Sequence, residues 1–140
     1  MIDPLEVMVV YLAAQMGSQV AGRVAAKHRF GTTWTPGQAA VAVHLDGGEP
    51  DLYAPVSNPR FELDFYGTDT PEILALWGAV VALSRAVNRL PVAVSGGAAL
   101  LQSFTQASGL SLLYDDEIKV DFGMAFFEAI IAEEPVISNQ

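Results

Sequence analysis

Cysteine is absent from this 140-residue chain, which excludes disulfides, thiolate nucleophiles and cysteine-ligated zinc together. Basic side chains are scarce: 7 Lys and Arg stand against 16 Asp and Glu, for a net charge of -9. Apart from Lys27-His28-Arg29 they are scattered, so a nucleic-acid backbone finds no cationic face to hold. An acidic surface does suit a protein that DNA must slide past without sticking. Charged residues of both signs make up only 16% of the chain, which is low for a globular protein. Hydrophobic residues reach 51%, too many for a disordered one. No apolar run approaches the roughly 18 residues of a membrane span, and Met1-Ile2-Asp3-Pro4-Leu5-Glu6 lacks the basic start of a signal peptide. These features predict a soluble, intracellular protein with a single domain over residues 1–135 and a loose tail at 136–140. Apolar surface in excess of what one small domain hides points to burial between subunits.

What is present is organised around Pro59 to Leu90. Phe61, Leu63 and Phe65 alternate with Glu62, Asp64 and Tyr66, the period of a half-buried strand with its carboxylates outward. Gly67 breaks the run, and Thr70-Pro71 opens a helix with Thr70 as cap and Pro71 first. Ile73, Trp77, Val80, Val81, Ser84 and Val87 supply its apolar stripe, and Pro91 stops it.

Upstream, Asp3, Pro4 and Glu6 predict a capped helix over Pro4–Met16, closed by Gly17. Its buried stripe is Leu5, Met8, Val9, Leu12 and Met16, with Ile2 and Val7 placed for a hydrophobic staple. Val20–Ala26 reads as a short strand. Lys27–Gln38 reads as a loop, in which Trp34 either folds back as a lid or meets a partner. Ala39–Leu45 is β-rich and Asp46-Gly47-Gly48 is a turn signal; Pro50 and Pro55 make Glu49–Asn58 an edge or an extended arm. Ala98–Thr105 and Leu110–Tyr114 are strand segments, and Asp115-Asp116-Glu117 is an acidic turn. Asp121–Ala132 is a last strand, apolar on both faces and therefore expected to be central and covered twice. The fold class is α+β: a mainly antiparallel sheet of about four to five strands, two helices packed on one face, and a long protruding β-hairpin or arm.

Reactive chemistry is hard to assemble from these residues. His28 and His44 are the only histidines, and His44, in an alternating strand, reads as structural and not as a base or ligand. Ser95-Gly96-Gly97 lacks the spacing of a nucleophile elbow, and no Ser–His–Asp set can be built. Neither glycine-rich turn matches a phosphate loop or a dinucleotide fingerprint. Asp115, Asp116, Glu117 and Asp121 do not follow a calcium-loop spacing. Glu62 and Asp64 share a strand face as paired carboxylates would, but outward polar residues of a half-buried strand explain them. The chain reads as a non-enzyme, with no catalytic residue, cofactor or metal site expected.

The order of segments carries a resemblance. The capped N-terminal helix, Gly22-Arg23-Val24, the hairpin strand Val41-Ala42-Val43-His44-Leu45-Asp46-Gly47-Gly48, Pro59-Arg60, the strand Phe61–Tyr66, Gly67-Thr68, a long helix and closing strands resemble the tail terminator, or tail-completion, proteins of long-tailed bacteriophages. The likeness runs from about Asp3 to Glu134. It implies a structural virion protein, assembled in the host cytoplasm, that forms a hexameric ring on the last tube ring at the head-proximal end of the tail. Such a ring ends tube polymerisation and presents a surface to the head-tail connector or stopper. Implied partners are further copies of the chain, the tail tube protein and the connector, with double-stranded DNA only passing through the lumen. Trp34, Tyr53, Arg60, Phe126 and Ile130 are then candidate subunit or partner contacts. Glu62, Asp64, Asp115, Asp116 and Glu117 are candidate acidic lumen residues. Alternative readings are a stopper, a tube subunit, or a small ligand-binding α+β enzyme with its site around Trp34 and His44.

Overall fold

The chain is described by a computed structural model over residues 2–27, 30, 34–50, 56–95 and 97–133, with the side chains of all of these except 48–50. Helix α1 spans Pro4–Met16 and α2 spans Thr70–Ala86; the strands are β1 (Val24–Ala26), β2 (Ala40–Pro50), β3 (Val56–Tyr66), β4 (Leu90–Val94), β5 (Gly97–Gln106), β6 (Ser111–Asp115) and β7 (Val120–Glu133). The fold is α+β with a mixed sheet.

Both helices start as short acceptors dictate. Asp3 accepts from the Leu5 backbone N–H at 3.0 Å, and Pro4 stands where its missing N–H loses nothing. Glu6 does not close a capping box; its carboxylate accepts from Ser95 N and Oγ at 2.8 and 2.9 Å and ties α1 to the end of β4. These bonds to Ser95 hold the Glu6 carboxyl below its ordinary range. The α1 stripe is rotated from the expected one: Val7 and Tyr11 join Met8, Leu12 and Met16 in the core, while Leu5 and Val9 lie at its margin. At α2, Asp69 and not Thr70 is the cap, accepting from Glu72 N at 3.0 Å. Glu72 reaches back to accept from Thr68 N at 2.7 Å, so the strand-to-helix junction is bonded from both sides. Pro91 does not terminate α2. That helix ends at Ala86, and Pro91 lies in β4, which among the described residues is an edge strand paired only with β5 and so tolerates a missing donor.

The sheet runs β1-β2-β3-β7-β5-β4, with β6 beside β7. Among the described residues, only β1 and β2 pair in parallel. The seven strands among the described residues exceed the four to five expected, because β4 gave no periodic signal and the short β1 and β6 join the same sheet. Strand β7 is central, as its apolar content implied. One edge pairs with β3 from Phe122 to Ala132, while the other is shared by β6 (Val120–Met124) and β5 (Phe127–Glu133).

The helices cover one face of the sheet. Phe61, Leu63, Phe65, Phe104 and Phe127 are buried there against Val7, Met8, Leu12, Ile73, Leu76 and Val80, each large side chain contributing about 1.5–3 kcal/mol of transfer free energy. Gly123 lets α2 approach β7: a Cβ there would stand 2.7 Å from both Ile73 Cγ2 and Leu110 Cδ1.

The β2–β3 hairpin is long, and Asp46-Gly47-Gly48 is not its turn. The strand continues through that sequence with a bulge between Leu45 and Gly48, and Gly47 takes a φ of +88°, which glycine adopts without strain. The segment read as an arm enters the ladder at both ends. Glu49 and Pro50 pair with Asn58 and Ser57, and Val56 and Ser57 also pair with Ala132 and Ile131 of β7. The intervening residues 51–55, which carry Tyr53 and Pro55, lie outside the described residues, as does the tail at 136–140.

Candidate functional site

The second face of the sheet is where the chain departs from a simple inside-outside pattern. Strand register lays its side chains out in rows. Ala40, Tyr66, Phe122 and Leu113 form the first row; Ala42, Asp64, Met124 and Ser111 the second; His44, Glu62 and Phe126 the third. Arg60 and Glu128 follow, with Thr105, and then Ile130 with Ser103.

An aromatic lid closes the first row. Trp34 packs 5.0 Å from Phe30 and 5.5 Å from Tyr66, ring centre to ring centre, and Tyr66 stacks on Phe122 at 5.4 Å. The loop is held folded back by Trp34 Nε1 donating to Gln38 O at 3.1 Å and by Thr35 N donating to Gln38 Oε1 at 3.0 Å. Of the two fates open to Trp34, the structure shows the lid.

An ionisable cluster sits just inside it. His44 and Glu62 are directly opposed across β2 and β3, and Asp64 lies one pair along on the same face. His44 Nε2 is 3.1 Å from Asp64 Oδ2. Asp64 is only 4% exposed, because Ala42, Met124 and Tyr66 surround it on the sheet and leave water little access. It is therefore not an outward polar residue, nor a surface that a lumen could present within the single subunit. Burial pushes the Asp64 carboxyl up to about 8, helped by a hydrogen bond to Glu62 and by the charges of Glu62 and Asp115. The Tyr66 hydroxyl is raised too, first by burial and then by the Asp64, Asp115 and Glu62 charges. Beside a second carboxylate, a buried carboxyl favours either its protonated form or a neighbouring cation. Among the described residues, His44, Glu62 and Asp64 form the one group of three or more potential ligands whose donor atoms lie mutually close, within 4.8 Å.

Beyond the cluster the face opens. Arg60 lies 4.7 Å over the Phe126 ring, with Asp46 Oδ2 at 3.4 Å and Glu128 Oε1 at 3.8 Å. A shallow groove of about 460 Å³ follows, lined by Asn58, Arg60, Ser103, Thr105, Glu128 and Ile130, together with Ala129. The structure thus brings Arg60, Phe126 and Ile130 together, while Trp34 stands apart at the lid and Tyr53 lies outside the described residues. Of the acidic residues, Glu62 is half-buried in the cluster. Asp115 turns its carboxylate inward to accept from Glu117 N at 2.9 Å and Ile118 N at 3.3 Å, and Asp116 and Glu117 are exposed in the β6–β7 turn.

The cluster itself was missed by reading His44 and the two carboxylates separately. Hairpin register was the signal that joins them, and the bulge hid it. Counted back from Pro50 and Ser57 without a bulge, His44 would oppose Leu63 on the core face; the observed shift places it against Glu62.

No protein-family model matches this chain, and no curated protein matches it. Among the described residues, no helix is long and apolar enough to cross a membrane.

Proposed function

We propose that the chain is a bacteriophage tail terminator: a structural protein whose copies close into a ring of about six on the end of the tail tube. That ring halts tube growth and offers a joining surface to the head-side connector. The observation that supports this most is the uncovered apolar strand β6. Leu112, Leu113 and Tyr114 are 52%, 39% and 55% exposed, and among the described residues no strand pairs the outer edge of β6. An apolar free edge of this kind is covered by another chain or it aggregates. A heterologous contact that closes on itself fixes the copy number.

In this reading the groove beside Arg60, Phe126 and Ile130 is a second contact surface, and Asp116 and Glu117 are the acidic groups free to face DNA. The role requires shape and self-association, with no catalytic residue. Negative-stain imaging and native mass measurement of the purified chain test it. Rings with a central hole are expected, whereas long open tubes would identify a tube subunit instead. Calculation of the assembled ring's potential provides a second check, since a basic lumen contradicts the DNA-passage part of the proposal.

A further inference from the structure

We propose that His44 Nε2, the Glu62 carboxylate and the Asp64 carboxylate form a binding site for one first-row divalent cation, zinc by preference. The proposal stands on the geometry of the second sheet face and is independent of the ring assignment.

The three donors belong to two directly hydrogen-bonded strands, so their Cα positions are fixed by the ladder and need no loop to close around an ion. The His44 Nε2 to Asp64 Oδ2 separation of 3.1 Å is near the ~3.3 Å edge of a tetrahedron built on metal bonds of about 2.0–2.1 Å. All three donors lie within 4.8 Å of one another. Glu62 is half-buried with three rotatable bonds, so a rotamer adjustment brings its oxygen onto the same centre, while Asp64 is anchored by burial. One face of the site stays open, since the His44 side chain is 25% exposed. A water can therefore take the fourth position, the arrangement of three protein ligands plus solvent that zinc accepts.

Ion choice follows from the donor set. One imidazole and two carboxylates offer too few oxygens for calcium, and magnesium dehydrates reluctantly into such a site. The imidazole favours zinc, and the affinity order of first-row ions places manganese below it. A divalent cation also matches the formal charge of the two carboxylates, one buried and one half-buried, which the fold holds within reach of each other. The ion would clip β2 to β3 one residue before the bulge, where the ladder is interrupted.

The test is isothermal titration of zinc chloride into metal-stripped protein, alone and in excess magnesium. The proposal predicts one tight equivalent that magnesium does not displace, a zinc-dependent rise in Tm of a few degrees (about 2–4 °C), and visible d–d bands when cobalt replaces zinc. Glu62→Gln and His44→Gln should each weaken zinc binding by about tenfold or more and abolish the Tm rise. Both positions are half-buried, and circular dichroism confirms that each variant is folded. Buried Asp64→Asn serves as a third variant if it folds. Absence of binding overturns the proposal. So does zinc binding unchanged in both variants, or several weak equivalents competed by magnesium, since either places the ion on surface carboxylates instead.

Discussion

Adding one methyl group at two different glycines should move stability in opposite directions. Gly78 lies in the middle of α2 on its exposed side, and nothing stands within 4 Å of a Cβ built there. Gly78→Ala therefore gains helix propensity and loses unfolded-state freedom without a clash, for about 0.5–1 kcal/mol of stabilisation. Gly123 lies on β7 between Phe65 and Leu112, and its added Cβ would meet Ile73 Cγ2 and Leu110 Cδ1, each at 2.7 Å. Both contacts fall well short of ordinary carbon-carbon separations of about 3.5–4.0 Å, so α2 or the Leu110 segment must move. Overpacking of that kind costs about 1–3 kcal/mol, and the unfolded-state gain of about 0.4–1 kcal/mol offsets part of it. Gly123→Ala should therefore destabilise by about 1–2 kcal/mol. With a urea slope near 2 kcal/mol/M, the midpoint falls by about 0.5–1 M for Gly123→Ala and rises by about 0.25–0.5 M for Gly78→Ala, at unchanged slope. A neutral or stabilising Gly123→Ala would refute the packing of α2 and Leu110 against β7.

Other expectations follow from the same contacts. Phe61→Ala empties a fully buried site in the helix-covered core and should cost about 3–5 kcal/mol by urea unfolding; a cost below about 1 kcal/mol contradicts its place there. Asp64 titrates higher in the folded chain, at about 8, than its ordinary value of 3.8. Its stabilising contribution is therefore complete below about pH 4 and is lost as pH rises through about 8. In chelator, wild-type stability should fall from pH 5 to pH 9 and Asp64→Asn should flatten that fall, whereas a wild-type stability that rises over this range speaks against the buried carboxyl. Trp34, folded onto Phe30 and Tyr66, should be poorly quenched by acrylamide in a Trp77→Phe background, and Trp34→Ala should cost about 1–3 kcal/mol. Full quenching of Trp34 would mean that the lid stands open.

Much of this architecture is written in local pattern. Asp3-Pro4 fixes the start of α1, the alternation Phe61–Tyr66 fixes which side of β3 meets the helices, and the two-sided apolar content of β7 places it in the middle of the sheet. Those signals depend on one residue and its near neighbours, where capping chemistry and strand period act. Strand β4 escaped notice because Pro91 looks like a helix stop, and only the free edge beside β5 makes a proline acceptable there. The cap of α2 was misplaced by one residue because Asp69 and Thr70 are both good acceptors, and the backbone decides between them.

The site was less legible than the fold. Burial of Asp64 depends on Ala42 and Met124, which belong to strands on either side and are 22 and 60 positions away in the chain. The union of His44 with Glu62 depends on a single bulge that changes which residues face each other. Neither fact is carried by the segment in which the residues lie. The contact candidates divided in the same way: Arg60, Phe126 and Ile130 share a sheet face through cross-strand register, whereas Trp34 is claimed by the lid.

The central claim is that the apolar surface of this chain closes a ring. Native mass measurement across a concentration series, with negative-stain images of the same samples, tests it most directly. The account predicts a single discrete species of about six copies with a central hole, and Leu113→Glu or Tyr114→Glu on β6 should shift it towards monomer. Tubes that lengthen with concentration, or rings untouched by charges placed on β6, would contradict it.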